Sequence, residues 1–399
     1  MDFDFLNRRF LQSARTAVQG FRNAVEVSAP AEADVKLILD RVRAYQHTTR
    51  LDEEFTVGAI DGSGEYPLIQ QDDVFMHFLS VACTCYQTAS ARQHKMSAAA
   101  AGNDLFTTFV NLQDDIKVIR KTYQGLINEL TGLDLKALVS GSDYVDVFQQ
   151  FGRGKITAGA VTWPNVALAR ASQVATHGYL IRSIGELGMG IRLLGQSPRY
   201  LILDTTLGYF LLGESIYLPE MLKRYLITQA KETGTCVLGL SKSHNIPNGD
   251  LIGRLAKEKL GLAEHWYLRL PSPSFGEEPW KFLNDREVPP KLGVTYLFKF
   301  HSTSFPMRLD VDAGWWREHI GGDEAKERRL FEDLDFTCHD VRSYGYPYPL
   351  QAAHRRSALT KQERRAVKDI VLQHAQDEGL LRGAFLGERD AEEVHMQGY

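Results

Sequence analysis

The hydrophobic pattern predicts strands that alternate with helices along most of the chain. The β-type run at residues 55–60 predicts a strand that leads into a tight turn at 61–64. The nearly continuous apolar run at 73–86 is typical of a strand that is covered on both faces. Later strands are predicted in the segments RYLILDTTL, TCVLGLSKS, LGVTYLFKF and MRLDVD. This alternation favours one α/β core with helical additions.

Apolar residues at helical spacing divide the chain into regions. We expect an N-terminal helical segment at 1–50, a core domain at 51–380 that contains a helical insertion at 88–155, and an acidic tail at 381–399. Further helices are predicted near residues 163–193, 216–233, 323–333 and 360–380.

Composition limits the class of protein. With 399 residues, 44% hydrophobic and 24% charged, the chain is typical of a globular protein. It contains no apolar run of membrane-spanning length, and its start, MDFDFLNRRF, lacks the features of a secretion signal. Cys83 and Cys85 form a C-x-C that could hold a metal, but Cys236 and Cys338 lie far off without a pattern. Buried reduced thiols in a cytoplasmic protein without a membrane segment fit these cysteines better.

Two aspartates stand where predicted strands end. Asp61 follows the run at 55–60 and is continued by Gly62, Ser63 and Gly64, whereas Asp204 ends the strand in RYLILD. Each could merely cap a turn, since Asp is common there. Brought together at the sheet edge, the two carboxylates would repel each other, and a hard divalent cation such as Mg²⁺ or Mn²⁺ would relieve that repulsion.

Other residues could complete such a site. Glu186, late in a predicted helix, could point over the strand ends, and Lys242 after a strand could meet a phosphate; each could equally be a solvated surface residue. Tyr346 and His354 bracket GYPYPLQAAH, whose prolines fix the backbone. The histidine could ligate a metal, shuttle a proton or be structural. Ser243 and His244 lack a G-x-S-x-G context, so a serine hydrolase is not supported.

Basic residues follow His354 in a chain whose net charge is −4. This basic run is either a solvated helix face or, beside a metal site, a surface that attracts polyphosphate. Walker A, G-x-G-x-x-G and zinc-finger spacings are absent from the sequence, so ATPase, kinase and dinucleotide-binding functions lack support. The basic run comprises Arg355, Arg356, Lys361, Arg364, Arg365 and Lys368.

In this order, the motifs resemble the NurA nuclease family over roughly residues 50–370. The motifs are AIDGSG after a strand, a helical insertion, a helix glutamate, LILDTTL, VLGLSKS, MRLDV and GYPYPLQAAH. The resemblance implies a ribonuclease H-like mixed-sheet core, manganese binding, DNA degradation, a homodimer, and cooperation with the hexameric HerA ATPase in DNA end processing.

The resemblance also implies roles for particular residues. Asp61, Glu186, Asp204 and His354 match the family's metal-binding positions. Tyr346 matches the tyrosine that precedes the histidine by eight residues, and we expect it to orient water or a phosphate oxygen. Lys242 matches a basic position expected to meet a phosphate.

The chain departs from the family pattern at one place. The family has Asp-Gly-Ser-Leu where this chain has Asp204-Thr205-Thr206-Leu207. This departure motivates the alternative of a weakened nuclease fold that serves as a DNA-binding or HerA-docking subunit.

From the resemblance we expect a divalent-metal-dependent deoxyribonuclease, acting as an exonuclease, a single-strand endonuclease or both, in repair or phage defence. A hydrolase of another phosphate ester is a third possibility.

Overall fold

A computed structural model gives the fold of much of the chain. The predicted acidic tail at 381–399, residues 163–173 of a predicted helix, and Ser243 and His244 lie outside the described part. The structure describes residues 12–20, 32–47, 51, 53–64, 67–71, 74–89, 96–111, 114, 116–143, 174–207, 211–212, 215–216, 218–242, 246, 249–272, 275–278, 280, 293–339, 343 and 345–379.

The core is a ten-stranded mixed sheet. Its order is β1-β10-β11-β12-β9-β6-β2-β4-β3, and β5 pairs with β4 beside that path. A separate hairpin is formed by β7 and β8. The strands are β1 Val42–Ala44, β2 Thr56–Ser63, β3 Pro67–Gln71, β4 Val74–Thr88, β5 Met96–Asn111, β6 Tyr200–Leu203, β7 Leu211–Leu212, β8 Ser215–Ile216, β9 Cys236–Ser241, β10 Trp266–Arg269, β11 Gly293–Lys299 and β12 Met307–Asp312.

Strand direction confirms the predicted mixed-sheet core. β2, β4 and β5 form an antiparallel meander, and β6 and β9 then add to β2 in parallel. This combination is the ribonuclease H-like arrangement that the resemblance implied. The parallel part matters for function, because it brings the carboxyl ends of β2, β6 and β9 to one edge of the sheet.

Helices cover the sheet, as the alternating pattern predicted. Within the described residues, none of them has the length and apolar character that crossing a bilayer requires. They are α1 12–20, α2 Glu32–Arg41, α3 Ile116–Thr131, α4 Leu135–Ser140, α5 Val174–Leu193, α6 Leu218–Glu232, α7 Gly249–Leu260, α8 Ala313–His319, α9 Glu324–Phe336, α10 Tyr348–Ser357 and α11 Lys361–Asp377.

The two faces of the sheet bury different helices because side chains alternate along each strand. Ile60 and Leu203 face one core, which they share with apolar residues of α3, α5 and α6. Val57, Ala59 and Ile202 face the other core, with apolar residues of α8 and α9. A third cluster packs α2 and α7 around β10.

Three elements differ from the sequence prediction. Residues 42–44 of the predicted N-terminal helical segment form β1, which pairs with β10, and β2 continues to Ser63 across the predicted turn. The helical interpretation of residues 96–111 is wrong, because β5 pairs with β4 along its whole length. Phe106 is buried whereas Leu105 and Phe109 are exposed, which is the two-residue period of a strand. The helical part of the predicted insertion begins only at α3. The domain boundaries themselves stay predictions.

Two smaller expectations can be compared with the structure. All four cysteines are buried and free, as reduced thiols would be. From the sequence alone, Trp315 and Trp316 could form a contact surface of a dimer or belong to the core. In the structure Trp316 is buried in the core beside α9, and Trp315 packs against that core partly buried. The tryptophans are therefore core residues and do not form an exposed contact surface.

Candidate active site

Asp61 and Asp204 lie side by side at the carboxyl ends of two parallel strands. The register pairs Ile60 with Leu203, so the next residue on each strand is an aspartate. Neighbouring strands are about 4.8 Å apart, which sets the scale of the separation. Asp61 is buried, and its Oδ1 accepts a hydrogen bond of 2.9 Å from the backbone N–H of Gly62.

The pKa of Asp204 reflects its position close to Asp61. Burial raises the pKa of Asp204, and the negative charge of Asp61 raises it further. The positive charges of Lys242, His354 and Arg182 act in the opposite direction without cancelling the rise. Asp204 therefore lies among the predicted site residues, and its ionised form is held there at a cost.

Glu186 approaches the same strand ends from α5. A Cβ added to Gly62 would lie 2.9 Å from Oε1 of Glu186 and 2.9 Å from Cγ of Arg182. The glycine of the Asp-Gly-Ser motif thus gives the glutamate room against the backbone of β2. Arg182 lies one helical turn before Glu186, and its Nε is 3.3 Å from Oε1.

His354 reaches the site from the opposite layer. Its Nδ1 is 2.6 Å from Oδ2 of Asp61, a hydrogen bond across 293 residues of sequence. The His354 side chain is 54% exposed whereas that of Asp61 is 7% exposed, so the imidazole stands between a buried carboxylate and solvent. Such a position suits metal ligation or proton transfer.

Short polar contacts hold α10 over the sheet. The Ser63 hydroxyl donates to the carbonyl of Ser357, and the Thr84 hydroxyl donates to the carbonyl of Pro349 at 2.8 Å. α10 begins immediately after Pro347, with Pro349 in its first turn, where a missing N–H costs nothing. The proline-rich motif therefore starts the helix that carries His354.

Tyr346 and Lys242 contact each other at the edge of the site. Nζ of Lys242 lies 4.0 Å from the centre of the Tyr346 ring, a cation–π contact. Burial raises the pKa of Tyr346 far above its usual value, and the charges of Asp204 and Asp61 raise it further. The phenol is therefore protonated across the physiological range and is able to donate a hydrogen bond. Lys242 is exposed, so its charge faces incoming ligand.

The Thr205–Thr206 departure is accommodated without strain. Among the described non-glycine residues, only Ser197 and His265 have positive φ, so this turn does not need the missing glycine. The backbone N–H of Leu207 donates to Oδ2 of Asp310 at 3.0 Å, which ties the turn to β12. Asp310 is itself buried and accepts from Thr295 and Arg308.

The residues present fit a divalent metal. Carboxylates from β2, from the residue after β6 and from α5 converge with an imidazole from α10, and oxygen with imidazole donors suits Mn²⁺. The cost of placing Asp204 beside Asp61 is the repulsion that a cation would relieve. All six residues expected in the catalytic centre therefore lie together, although Glu186 enters from the opposite face to His354.

The basic run begins beside the site and continues away from it. Arg355 and Arg356 are exposed in the last turn of α10, next to His354. Three residues then lead into α11, which a Thr360–Glu363 capping box starts and which contacts β3. Arg364, Arg365 and Lys368 lie on α11, whose residues are all at least partly exposed.

Sequence reasoning missed two residues that position the site. Arg182 could have been found from its i, i+4 spacing to Glu186. Asp310 stands in the MRLDVD strand, where an acid inside an apolar run signals a buried polar contact. A second group of possible metal ligands, formed by His47, His265, Asp335 and His339, was also missed.

Comparison with known proteins gives a similarity to a solved structure. No family model and no curated protein sequence matches the chain. The chain does resemble the crystal structure of the NurA nuclease from Sulfolobus solfataricus, with a TM-score of 0.50 and 12% sequence identity. The alignment covers 93% of this chain and 98% of that chain.

The chain has a NurA-like fold. At 12% identity the similarity establishes architecture, and the near-complete coverage of both chains means that it extends well beyond the central sheet. Within this NurA-like fold, the paired aspartates occupy the edge where open α/β sheets place their ligand groups.

Proposed function

We propose that the chain is a divalent-metal-dependent DNA nuclease. The observation that carries the proposal is the convergence of Asp61, Glu186 and Asp204 with His354 at the ends of the parallel strands. The NurA-like fold supports the choice of a phosphodiester as substrate. Mn²⁺ is the proposed ion and Mg²⁺ the alternative, because both accept the hard oxygen donors present.

The acids and His354 would hold the metal. When bound, a divalent ion in such a centre activates water and stabilises the charge that develops on the phosphodiester. The hydrogen bond from His354 to Asp61 fixes the imidazole ring, so that Nε2 is the nitrogen that would ligate the ion. Arg182 contacts the Glu186 carboxylate and holds it over Gly62.

Lys242 and Tyr346 would meet the phosphate itself. The exposed ammonium of Lys242 neutralises one phosphate oxygen as a point charge. The protonated phenol of Tyr346 donates a hydrogen bond to a phosphate oxygen or to the attacking water. The cation–π contact keeps these two groups at a fixed separation.

The test is cleavage of labelled DNA by the purified full chain. Single-stranded and double-stranded substrates are incubated with Mn²⁺, with Mg²⁺ or with EDTA. The proposal requires cleavage with metal and none with EDTA. DNA binding without cleavage in any of these conditions would favour the weakened DNA-binding or docking subunit instead. Product lengths from 5′- and 3′-labelled strands give polarity and the balance of exonuclease to endonuclease activity.

The proposed biological setting is DNA end processing with a HerA-type hexameric ATPase, in repair or in phage defence. We further propose that the chain acts as a homodimer. The motif resemblance supports both partners, and the exposed apolar residues Leu105, Phe109 and Val118 provide a contact surface in the region of the insertion.

A further inference from the structure

A group of metal-ligating side chains lies outside the proposed active site. One donor atom from each of its members lies within 4.8 Å of the donor atoms of the others. Asp335 is in α9 and His265 directly precedes β10, whereas His47 and His339 lie three residues after β1 and α9. We name it the His–Asp cluster; it consists of His47, His265, Asp335 and His339.

The fold brings these residues together from distant parts of the sequence. β1 pairs with β10 through Ala44 and Trp266, and the N–H of Tyr45 then donates to the carbonyl of His265 at 3.1 Å. This extension places His47 beside His265 above the end of α9. Asp335 and His339 lie four residues apart at that end, so both point to the same side.

Asp335 is at the centre of the cluster. Its Oδ2 is 2.7 Å from Nδ1 of His47 and 3.4 Å from Nδ1 of His265, and its Oδ1 is 2.7 Å from Nε2 of His339. The Asp335 side chain has no exposed surface.

The imidazole rings are crowded around one carboxylate. The ring centres of His47 and His339 are 3.8 Å apart and those of His47 and His265 are 5.1 Å apart. Nδ1 of His265 is also buried and has no aligned hydrogen-bond partner among the described residues. Its backbone has φ +56°, a conformation that costs energy in a non-glycine residue.

A divalent cation would give these crowded donor atoms a common partner. It uses neutral imidazoles and an ionised carboxylate, and it gives the buried nitrogen of His265 a ligand bond. Donor atoms around tetrahedral zinc are about 3.3 Å apart, given bonds of about 2.0–2.1 Å, so small side-chain shifts suffice. The carboxyl end of α9 also favours positive charge.

The second nitrogen of His265 supports this interpretation. Its Nε2 is 3.6 Å from Oε1 of Glu264, whose other oxygen accepts from the N–H of Ser302 at 2.9 Å. A ligating histidine commonly directs its other nitrogen to a carboxylate, which fixes the ring and raises its basicity. Glu264 is in the place that such a partner occupies.

We infer that the His–Asp cluster binds one Zn²⁺ ion as a structural site. Four protein ligands close a tetrahedral zinc, which leaves no open position for a substrate. The backbone of Thr337 and Cys338 is hydrogen-bonded to Tyr348 and Gly345, so the ion would brace the connection into α10, the helix of His354. The inference is independent of the proposed nuclease activity.

The test uses Co²⁺ as a spectroscopic probe for zinc. The full chain is stripped with EDTA, dialysed and titrated with Co²⁺, which absorbs strongly in visible light when its coordination is tetrahedral. We expect about one equivalent of tetrahedral Co²⁺, its displacement by Zn²⁺, and a melting temperature several degrees higher with zinc than without. An absence of tetrahedral Co²⁺ and of a zinc-induced melting shift in the wild-type chain would overturn the inference.

Variants locate the ion. His339→Asn and His47→Asn should each lose most of the Co²⁺ absorbance and the zinc-induced shift, whereas the exposed His374→Asn on α11 should keep both. The double variant Asp61→Asn/Asp204→Asn should also keep both, which separates this site from the proposed catalytic metal. Retention of the Co²⁺ spectrum in both cluster variants would place the ion elsewhere, and the cluster would then be a hydrogen-bonded network only.

Discussion

Asp204 sits beside Asp61 at an energetic cost that its function would explain. Burial and the neighbouring charge raise the pKa of Asp204 above its value in the unfolded chain. Ionised Asp204 therefore destabilises the folded state at neutral pH, and that cost is relieved as the pH falls through the raised pKa. Functional sites commonly retain such destabilising groups.

The first prediction follows from this cost. Without metal, Asp204→Asn should raise the melting temperature at pH 7, on the order of 2 °C. With Mn²⁺, the same substitution should abolish cleavage. The gain should shrink toward pH 4, because wild-type Asp204 then becomes neutral as well. Mn²⁺ should stabilise the wild type more than the variant. The exposed Asp40→Asn, on α2, is the control and should show neither effect. A lower melting temperature for Asp204→Asn than for the wild type would contradict the claim that the Asp204 and Asp61 carboxylates repel each other.

A second prediction concerns the glycine after Asp61. In Gly62→Ala the new Cβ would lie 2.9 Å from Oε1 of Glu186, so the carboxylate must move away from the strand end. We expect the Mn²⁺ concentration for half-maximal cleavage to rise about tenfold or more, as when a group that orients a metal ligand is removed.

The matched control for Gly62→Ala is Gly125→Ala on α3. A Cβ there meets nothing within 4 Å, and alanine favours the helix by about 1 kcal/mol. Cleavage should be unchanged and the melting temperature equal or higher. If Gly62→Ala needed no more Mn²⁺ than Gly125→Ala, Glu186 would not be a ligand.

Residue patterns indicated some of the site and could not indicate the rest. The strand-end positions of Asp61 and Asp204 were visible in the hydrophobic pattern, because a carboxylate follows each apolar run. His354 is 293 residues from its partner Asp61, so only resemblance to a known family connected them. The His–Asp cluster spans 288 residues between His47 and Asp335, and no spacing rule covers such a set.

At the scale of elements, β5 shows where periodicity is ambiguous. Phe106, Phe109 and Val110 fit a helical spacing. Leu105 and Phe109 are apolar although they are exposed, so the sequence lacks the alternation of apolar and polar residues that would indicate a strand. Pairing with β4 along the whole strand decided the outcome, and that tertiary effect is not contained in a local window. By contrast, β2, β6 and β9 were predicted because buried parallel strands read as continuous apolar runs.

The third prediction belongs to α11. Replacing Arg364, Arg365 and Lys368 together by Gln should weaken duplex binding and lower the log–log salt slope by roughly 0.9 for each phosphate that the variant no longer neutralises. Contacts to phosphates carry no sequence information, so affinity should fall equally for different sequences. Binding of a short duplex is titrated at several salt concentrations for the wild type and the triple variant.

A charge-matched variant controls for net charge. Arg254, Lys257 and Lys259 lie exposed on α7, and their replacement by Gln removes the same three charges. The log–log salt slope of duplex binding by this α7 variant should stay near that of the wild type. Equal slopes for all three proteins would mean that α11 is a solvated face and that the DNA path lies elsewhere.

At the scale of the whole molecule, the fourth prediction is self-association. Light scattering at micromolar concentration should give about twice the chain mass of 45.0 kDa, and the dimer should bind a HerA-type hexamer. A double substitution of Leu105 and Phe109 by Glu, on the exposed side of β5, should give a monomer, because it puts charge into an apolar contact.

Phe305→Glu is the control for that experiment. Phe305 is 78% exposed and lies between β11 and β12, away from β5 in sequence and in sheet order. The substitution Phe305→Glu should give the same mass by light scattering as the wild type. A wild-type mass of one chain at micromolar concentration would exclude the homodimer, without affecting the proposed cleavage chemistry.

The most direct test of the account is the rate of metal-dependent DNA cleavage by Asp61→Asn. Asparagine keeps the shape of the side chain but loses the charge that would hold the cation and accept from His354. With Mn²⁺ we predict that the cleavage rate of Asp61→Asn falls about a hundredfold or more. This is the scale expected when a charged group that stabilises a transition state is removed. Asp40→Asn, measured alongside, should cleave within about twofold of wild type. Cleavage by Asp61→Asn at the wild-type rate, or undiminished wild-type cleavage in EDTA, would contradict a metal-dependent centre at these strand ends.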